Sequence, residues 1–187
     1  MRALLLYPMN ALVEDQMSRL RAALDSDEAL KAMDQELDGN RIRFGRYNGS
    51  TPVAGHPYTF DIKKNTWVKS LKHGPLNNKI KEAREEYEDH RNQVELARRD
   101  FLLAKASGDE LLIKNTEDKL AMLLEQGEYI PRMEAGACEM FHRWEMQETP
   151  PDLLITNVSM LSIMLMRHEH SQAPSDRADS QIFQATK

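Results

Sequence analysis

The chain opens with a short apolar run that leads into a helical apolar stripe. Ala3 to Tyr7 (ALLLY) has the length and composition of a β-strand buried on both faces. Pro8 ends such a strand because it has no N–H to donate, and Asn10 can cap a following helix. Apolar residues then recur at steps of three and four along one helical face: Leu12, Val13, Met17, Leu20 and Leu24. A strand, a tight turn and a helix form half of a βαβ unit, so this pattern predicts a parallel sheet.

The same pattern returns near the other end of the chain. Residues 150–157 (PPDLLITN) have the composition of a buried strand that runs into a polar turn, and residues 158–167 (VSMLSIMLMR) predict an apolar helix. Ligands of parallel sheets lie at the carboxyl ends of the strands. Residues 8–10 and 156–159 would both lie at that edge.

Two segments between these units complete the predicted sheet domain. Residues 25–40 are acidic and predict a helix end or a short second helix, closed by the turn signal Gly39-Asn40. Residues 41–47 (RIRFGRY) alternate basic and apolar side chains, which predicts a second strand that ends at Asn48-Gly49.

The middle of the chain has a seven-residue apolar repeat. Gly74-Pro75 breaks the chain, and a long helix is predicted from about residue 77 to residue 106. Its apolar seam consists of Ile80, Ala83, Tyr87, His90, Val94, Ala97, Phe101 and Ala104. A turn at residues 107–109 leads to a return helix over about 110–126, whose apolar positions are Ile113, Leu120, Leu123 and Leu124. The two stripes predict an antiparallel helical hairpin, which serves either as a spacer or as an arm for a protein partner.

A basic segment precedes the helical hairpin. It contains Lys63, Lys64, Trp67, Lys69 and Lys72 and no acidic residue. Lysines neutralise phosphates, and an aromatic ring can stack on a base. These residues are therefore a candidate accessory nucleic-acid patch. The alternative is a surface loop with Trp67 packed in the core.

The segments after the helical hairpin return the chain to the sheet. Residues 133–147 predict a helix in which Cys138, Phe141 and Trp144 pack. Residues 168–181 are polar and predict a loop, and Ile182-Phe183 begins another packing segment. Cys138 and His142 could share a metal from one helical face, but two ligands do not make a site, and we expect no metal here.

Composition limits the class of protein. The 187 residues are enough for one buried core, and the net charge of −5 means that nucleic acid would have to bind at local patches. The single cysteine excludes an internal disulfide and fits a reducing compartment. No apolar run approaches the length of a membrane helix, and the N-terminus lacks a signal-peptide pattern. We therefore expect a cytoplasmic protein that does not bind membranes.

Three segments resemble helicase motifs in their family order. Residues 7–16 (YPMNALVEDQ) resemble motif Ia of superfamily 2 helicases, in the YPTxALxxDQ form of the large bacterial DEAD/DEAH-box-like group. Residues 46–52 (RYNGSTP) resemble the RYxGxTP segment that follows it, and residues 150–161 (PPDLLITNVSML) resemble motif Ib in its TNxxML form. Residues 143–147 (RWEMQ) resemble a segment seen before motif Ib.

The resemblance implies a fold and a domain division. The fold class is α/β, a partial RecA-like parallel sheet with a large α-helical insertion that forms an antiparallel hairpin. Residues 1–57 and 136–187 would be parts of the first RecA-like domain of the helicase core. Residues 58–135 would be a mostly helical insertion, with its hairpin at about 77–126.

The resemblance also implies which residues contact the nucleic-acid backbone. In this sequence they are Pro8, Met9, Asn10, Asn48, Gly49, Ser50, Thr51, Thr156, Asn157 and Ser159. Two positions depart from the family pattern, because Asn10 replaces the usual arginine or lysine and Val158 replaces the expected proline or glycine. Helix capping is the alternative role of Asn10 and Asn157. The resemblance also implies that the loop after residue 47 lies near the nucleic-acid groove, and a solvated strand face is the alternative for Arg41, Arg43 and Arg46.

Both ATP-binding motifs of the family are missing from these residues. No G-x-x-x-x-G-K-[ST] loop occurs, and Asp109-Glu110, the only look-alike of a DExH box, lies at a helical turn. Phosphoryl transfer needs a phosphate cradle and a carboxylate-held Mg²⁺. We therefore expect no catalytic residue and no bound cofactor in this chain, whereas a full-length helicase would use ATP and Mg²⁺.

Three functions remain open at this stage. The first is a fragment or subunit of an ATP-dependent DNA helicase, in DNA repair or antiphage defence, with DNA rather than RNA and the remaining helicase domains as partners. The second is a nucleic-acid-binding module that works without ATP. The third is a protein–protein scaffold that uses the helical hairpin.

Overall fold

A computed structural model describes residues 2–170 and Ile182 of the chain. The strands are β1 (Ala3–Tyr7), β2 (Phe44–Tyr47), β3 (Tyr58–Asp61), β4 (Thr66–Lys69), β5 (Glu139–Met140) and β6 (Leu153–Asn157). The helices are α1 (Asn10–Leu24), α2 (Asp27–Glu36), α3 (His73–Ser107), α4 (Glu110–Gly127), α5 (Arg143–Glu148) and α6 (Val158–His170).

The central sheet is parallel, as the sequence predicts. Its strand order is β1-β6-β2-β5, and every described pairing is parallel. Tyr7 pairs with Asn157, and Tyr47 pairs with Thr156. The strands β1, β6 and β2 therefore end level with one another. The α/β class is confirmed, and the architecture is consistent with a partial RecA-like fold.

The core lies on both faces of this sheet. One cluster, on the side of α1 and α2, consists of Val13, Met17, Met33, Phe44, Cys138 and Ile155. The other consists of Tyr47, Met140, Met146, Leu154, Met160, Met164 and Ile182. Leu154 and Ile155 point to opposite faces because successive side chains of a strand alternate. The predicted packing of Ile182 is confirmed, and Phe183 lies outside the described residues.

The first strand is less buried than its composition predicts. Leu5 and Tyr7 pack against the cluster beneath α1, but Leu4 and Leu6 are exposed on the other face. The prediction of burial on both faces is therefore wrong within the described part of the chain, because β1 is the outer strand of the sheet and only one side of it is covered. Leu12, predicted on the buried face of α1, is likewise exposed.

The helical hairpin follows the seven-residue repeat. Ala83, Ala97 and Ala104 of α3 are buried, as is Leu123 of α4, whereas Leu124 is exposed against prediction. Gly108 has the left-handed conformation (φ +74°), and the Asp109 carboxylate accepts the N–H groups of two α4 residues. Helix α3 begins at His73, so Gly74-Pro75 lies within its first turn and does not break the chain, because proline needs no hydrogen-bond partner there.

A β-hairpin precedes the long helices, and the sequence pattern missed it. β3 and β4 pair antiparallel, with Phe60 opposite Trp67. The Asp61 carboxylate accepts the backbone N–H groups of Lys63 and Lys64, and Asn65 supplies a left-handed residue (φ +48°) for the turn. A side chain–backbone turn of this kind leaves little trace in a hydrophobic periodicity.

The predicted helix over residues 133–147 is wrong for most of its length. Helix α5 is confined to Arg143–Glu148, and it is preceded by the short strand β5. The buried Asp25 carboxylate accepts the backbone N–H groups of Cys138 and Glu139 at 2.7 and 3.2 Å, which holds this segment extended beside β2. Cys138 and His142 therefore do not share a helical face. The described residues contain no group of three or more His, Cys, Asp or Glu placed to hold a metal.

The last helix is longer than predicted. α6 continues through His170, so the predicted loop is wrong for residues 168–170, and its remainder at 171–181 lies outside the described residues. No helix in the described part of the chain has both the length and the apolar composition needed to cross a membrane.

The buried thiol of Cys138 is expected to react only when the protein opens. Burial raises the pKa of Cys138 to about 11. At pH 8 only about 0.1% of the thiol would be thiolate, the form that reacts. We expect modification by a disulfide reagent to be at least about 100-fold slower in native buffer than in denaturing urea, where the same residue is the internal control. Equal rates would show that the thiol is accessible in the native state.

Candidate nucleic-acid interface

Three loops meet at one edge of the sheet. Because β1, β6 and β2 end level, the residues after each of them converge at their carboxyl ends. This edge unites residues 8–10, 48–51 and 157–159, as the motif order predicts. We call this surface the motif edge.

Asn10 joins the three loops. It is the first residue of α1, and the cap position before it, Met9, makes no side-chain cap bond. The Asn10 Oδ1 instead accepts from the Nδ2 of Asn157 at 2.6 Å and from the Nδ2 of Asn48 at 3.2 Å. The predicted cap is therefore wrong, because the Asn10 side chain turns across the sheet edge to the amides of the neighbouring loops.

Asn157 performs two structural tasks. Its Oδ1 accepts the N–H of Met160 at 2.7 Å, which caps α6, and its Nδ2 donates to Asn10. The capping role predicted as the alternative is confirmed for Asn157. The neighbouring Thr156 is fully buried, and its hydroxyl donates to the carbonyl of Tyr47. Thr156 thus ties β6 to β2, and its side chain faces the interior.

The loop after β2 is held by its own side chains. Asn48 is fully buried, and its Oδ1 accepts the N–H of Ser50 at 3.0 Å. The Thr51 hydroxyl accepts the N–H of Asn48 and donates to the carbonyl of Arg46 at 2.7 Å. Gly49 and Ser50 remain exposed at the tip. The predicted contact residues therefore divide into buried ones that shape the loop and exposed ones that form its surface.

The two helices that begin at the motif edge have no acidic side chain in their first turns. The exposed members of the motif edge are Pro8, Met9, Asn10, Gly49, Ser50, Val158 and Ser159. Helices α1 and α6 both begin here, and neither has Asp or Glu in its first turn. Helix N-termini present backbone N–H groups and a partial positive charge, which suit anions such as phosphates.

The arginines near β2 are paired with carboxylates. Arg46 forms an ion pair with Glu14, and Arg41 contacts Asp34 at 2.8 Å. Arg43 lies 3.9 Å from Glu145. The positive charge near this strand is therefore partly neutralised, and the polar groups of the motif edge are mainly amides, hydroxyls and helix termini.

Arg143 is a residue of this site that its sequence position did not reveal. Arg143 is buried, its guanidinium donates to the carbonyl of Asn48, and it lies 5.0 Å from the centre of the Tyr47 ring. Four residues later on α5, the Gln147 Nε2 donates to the Tyr47 hydroxyl at 2.9 Å. Both side chains position the end of β2 and its loop. The only sequence signal was the segment RWEMQ, whose spacing places both residues on one helical face.

The candidate accessory patch lies on the β-hairpin. Trp67 is 48% exposed, so the alternative of a core tryptophan is wrong. All four predicted lysines are exposed, although the Lys72 Nζ donates to the carbonyl of Ala54 and Lys64 lies 3.9 Å from Asp61. The patch is thus displayed on the surface, next to the segment that leaves the motif edge.

A cavity of about 640 Å³ separates the β-hairpin from α5. His73, His142, Trp144 and Glu145 are among its lining residues. Burial lowers the pKa of His142 and raises the pKa of Glu145. The His142 Nδ1 accepts the N–H of Glu145, which requires a neutral ring and makes His142 the cap of α5.

One known protein is similar to this chain over its whole length. The chain resembles the Druantia protein DruE. That protein is from Escherichia coli (strain UMEA 4076-1), and the two share 31% identical residues over 197 aligned positions, which cover 100% of this chain. The chain spans 10% of the length of this curated relative. No family model matches the sequence, and no solved structure matches it significantly.

Proposed function

We propose that this chain supplies the part of an ATP-dependent superfamily 2 DNA helicase or translocase that binds one DNA strand. In this proposal the motif edge holds the phosphate backbone of one strand. Other parts of a longer protein would supply the ATP site. The similarity to DruE supports a relationship to a much longer protein, since the chain corresponds to 10% of it.

The observation that carries the proposal is the amide cluster at the motif edge. Asn10 and Asn157 are 147 positions apart, yet their side chains are hydrogen-bonded at the ends of adjacent strands. The helicase-like segments therefore converge on one surface. Two helix N-termini open there without acidic residues, which favours phosphate binding over binding of a cation.

We propose antiphage defence as the pathway, in preference to DNA repair. The similarity to DruE supports this choice, because DruE is a protein of an antiphage defence system. The proposed partners are DNA and the remaining helicase domains.

Replacement of Asn157 by aspartate tests the motif edge. Aspartate can still cap α6, so the helix start is preserved. It cannot donate to the Asn10 Oδ1, and it adds a negative charge where a phosphate would lie. We expect Asn157→Asp to weaken binding of labelled single-stranded DNA about tenfold, measured by fluorescence anisotropy at low salt, with a reduced slope of log affinity against log salt.

A matched control makes the same change of charge at a position far from the motif edge in the sequence. Asn115→Asp makes the same replacement on the exposed face of α4 and is expected to leave the affinity within about twofold, since exposed charges are screened. Addition of ATP and Mg²⁺ should change neither value. The proposal is wrong if both variants bind DNA equally well while their circular dichroism spectra match the wild type.

A protein-docking function of the helical hairpin is the second candidate. Four leucines near its turn are exposed: Leu102, Leu103, Leu111 and Leu112. Exposed apolar patches of this kind mark protein contacts. The same titration discriminates the two candidates, because docking alone predicts no salt-dependent DNA binding by any variant.

A further inference from the structure

One face of the β-hairpin carries three aromatic rings. In an antiparallel pair, directly opposite residues and residues two apart point to the same side. Phe60 is opposite Trp67, and Tyr58 is opposite Lys69, so these four side chains share one face. Tyr58 and Phe60 are each 43% exposed and Trp67 is 48% exposed. We call this face the hairpin platform.

The rings of the platform are in mutual contact. The Phe60 and Trp67 rings meet edge to face, with centroids 5.5 Å apart. The ring of His56 lies 5.8 Å from Trp67 and 6.1 Å from Tyr58. These contacts hold the aromatic side chains in place while their outer surfaces remain open to solvent. A contiguous exposed apolar face of this kind is unusual for a surface without a partner.

The surroundings of the platform are basic. Residues 62–72 contain four lysines and no acidic residue, in a chain whose net charge is −5. The carboxylate of Asp61 is occupied by the backbone N–H groups of the turn. A neutral apolar partner would not need this charge, whereas a phosphate backbone beside stacked bases would.

We propose that the hairpin platform is a second binding site, for unpaired bases of a nucleic-acid strand. Bases would stack on Trp67, Phe60 and Tyr58, and the lysines would contact the phosphates. The proposal deepens the proposed function and rests on it for the identity of the ligand class. Only six residues lie between Thr51 of the motif edge and Tyr58, so the two are joined by at most about 25 Å of chain. One strand can therefore reach both surfaces.

The fluorescence of Trp67 provides a direct readout of stacking. The chain contains two tryptophans, and Trp144 is buried with its Nε1 donating to the carbonyl of Gly55. A Trp144→Phe variant leaves Trp67 as the only reporter. We expect single-stranded dT of about 15 nucleotides to quench this fluorescence. An abasic strand of equal length carries the same phosphates and should bind at least about fivefold more weakly, without quenching.

A second pair of variants keeps the test independent of the Trp144→Phe background. In the otherwise wild-type chain, Phe60→Ala is expected to reduce affinity for the dT strand about tenfold, whereas Tyr129→Ala, which removes an exposed aromatic ring elsewhere, should leave it within about twofold. Equal affinities of the two variants, or equal binding of the dT and abasic strands, would overturn the platform.

The outcomes separate this proposal from the proposed function. If Asn157→Asp binds DNA normally while the dT strand still quenches Trp67, the motif edge is not a binding site and the hairpin platform is one. If Asn157→Asp weakens binding and the dT strand leaves the fluorescence unchanged, the hairpin platform is not a binding site and the motif edge is one.

Discussion

The Glu139→Gln variant is expected to lose about 3 kcal/mol of unfolding free energy, because it takes from a buried guanidinium the carboxylate that is hydrogen-bonded to it. Glu139 accepts from Arg21 through both oxygens, at 2.6 and 2.9 Å, and the two side chains are only 7% and 10% exposed. Burial alone lowers the pKa of Arg21, but the hydrogen bonds and charge of Glu139 raise it above its usual value. Urea unfolding at pH 7 measures the loss.

A matched control and a double variant make the reason for this loss testable. Glu95→Gln removes the same charge from an exposed pair with Arg99 and should cost less than about 0.5 kcal/mol. Replacing both Arg21 and Glu139 by methionine removes the unpaired charge and should restore much of the stability lost by Glu139→Gln. A Glu139→Gln variant as stable as Glu95→Gln would show that the pair does not stabilise the fold.

The Arg21–Glu139 ion pair also shows why the sequence located some elements and not others. Helices α1, α3 and α4 each cover a partner with one apolar stripe, so their periodicity alone revealed them. The segment at 133–142 is not helical, and its residues 138–140 lie beside β2 because Asp25 accepts backbone N–H groups 113 and 114 residues away, and Glu139 binds Arg21. No local pattern encodes such distant partners, so a helical prediction failed there.

The candidate site was predictable in its position and less so in its details. Motif order and parallel topology were enough to place three loops at one edge. A local rule assigned capping to both Asn10 and Asn157, and it held only for Asn157, whose own helix follows directly. Asn10 is the first residue of α1, one position after the cap, and its side chain is hydrogen-bonded to the neighbouring loops. The role of Arg143 depends on the carbonyl of Asn48, 95 residues away, which the sequence does not reveal.

The second large loss of unfolding free energy is expected from a substitution at Gly45, the second residue of β2. A Cβ added there would lie 2.5 Å from the Sδ of Met146 and 3.4 Å from the Cβ of Met140. Methionine is flexible, but Met146 is fully buried in the cluster with Tyr47 and Leu154, so a shift of its side chain has to displace other core side chains. We therefore expect Gly45→Val to cost about 3 kcal/mol of unfolding free energy.

Two further variants test whether this cost is steric. Gly49→Val makes the same change four residues later, where no heavy atom lies within 4 Å of the added Cβ, and should cost less than about 1 kcal/mol. Combining Gly45→Val with Met146→Ala should cost clearly less than the sum of the two single changes, because the new side chain fills the space that Met146 vacates. Additive costs would place the effect in the backbone of β2 instead of its packing against α5. Since α5 also carries Arg143, which donates to the carbonyl of Asn48 in the motif edge, a steric cost at Gly45 would show that the core and the candidate site share one packing arrangement.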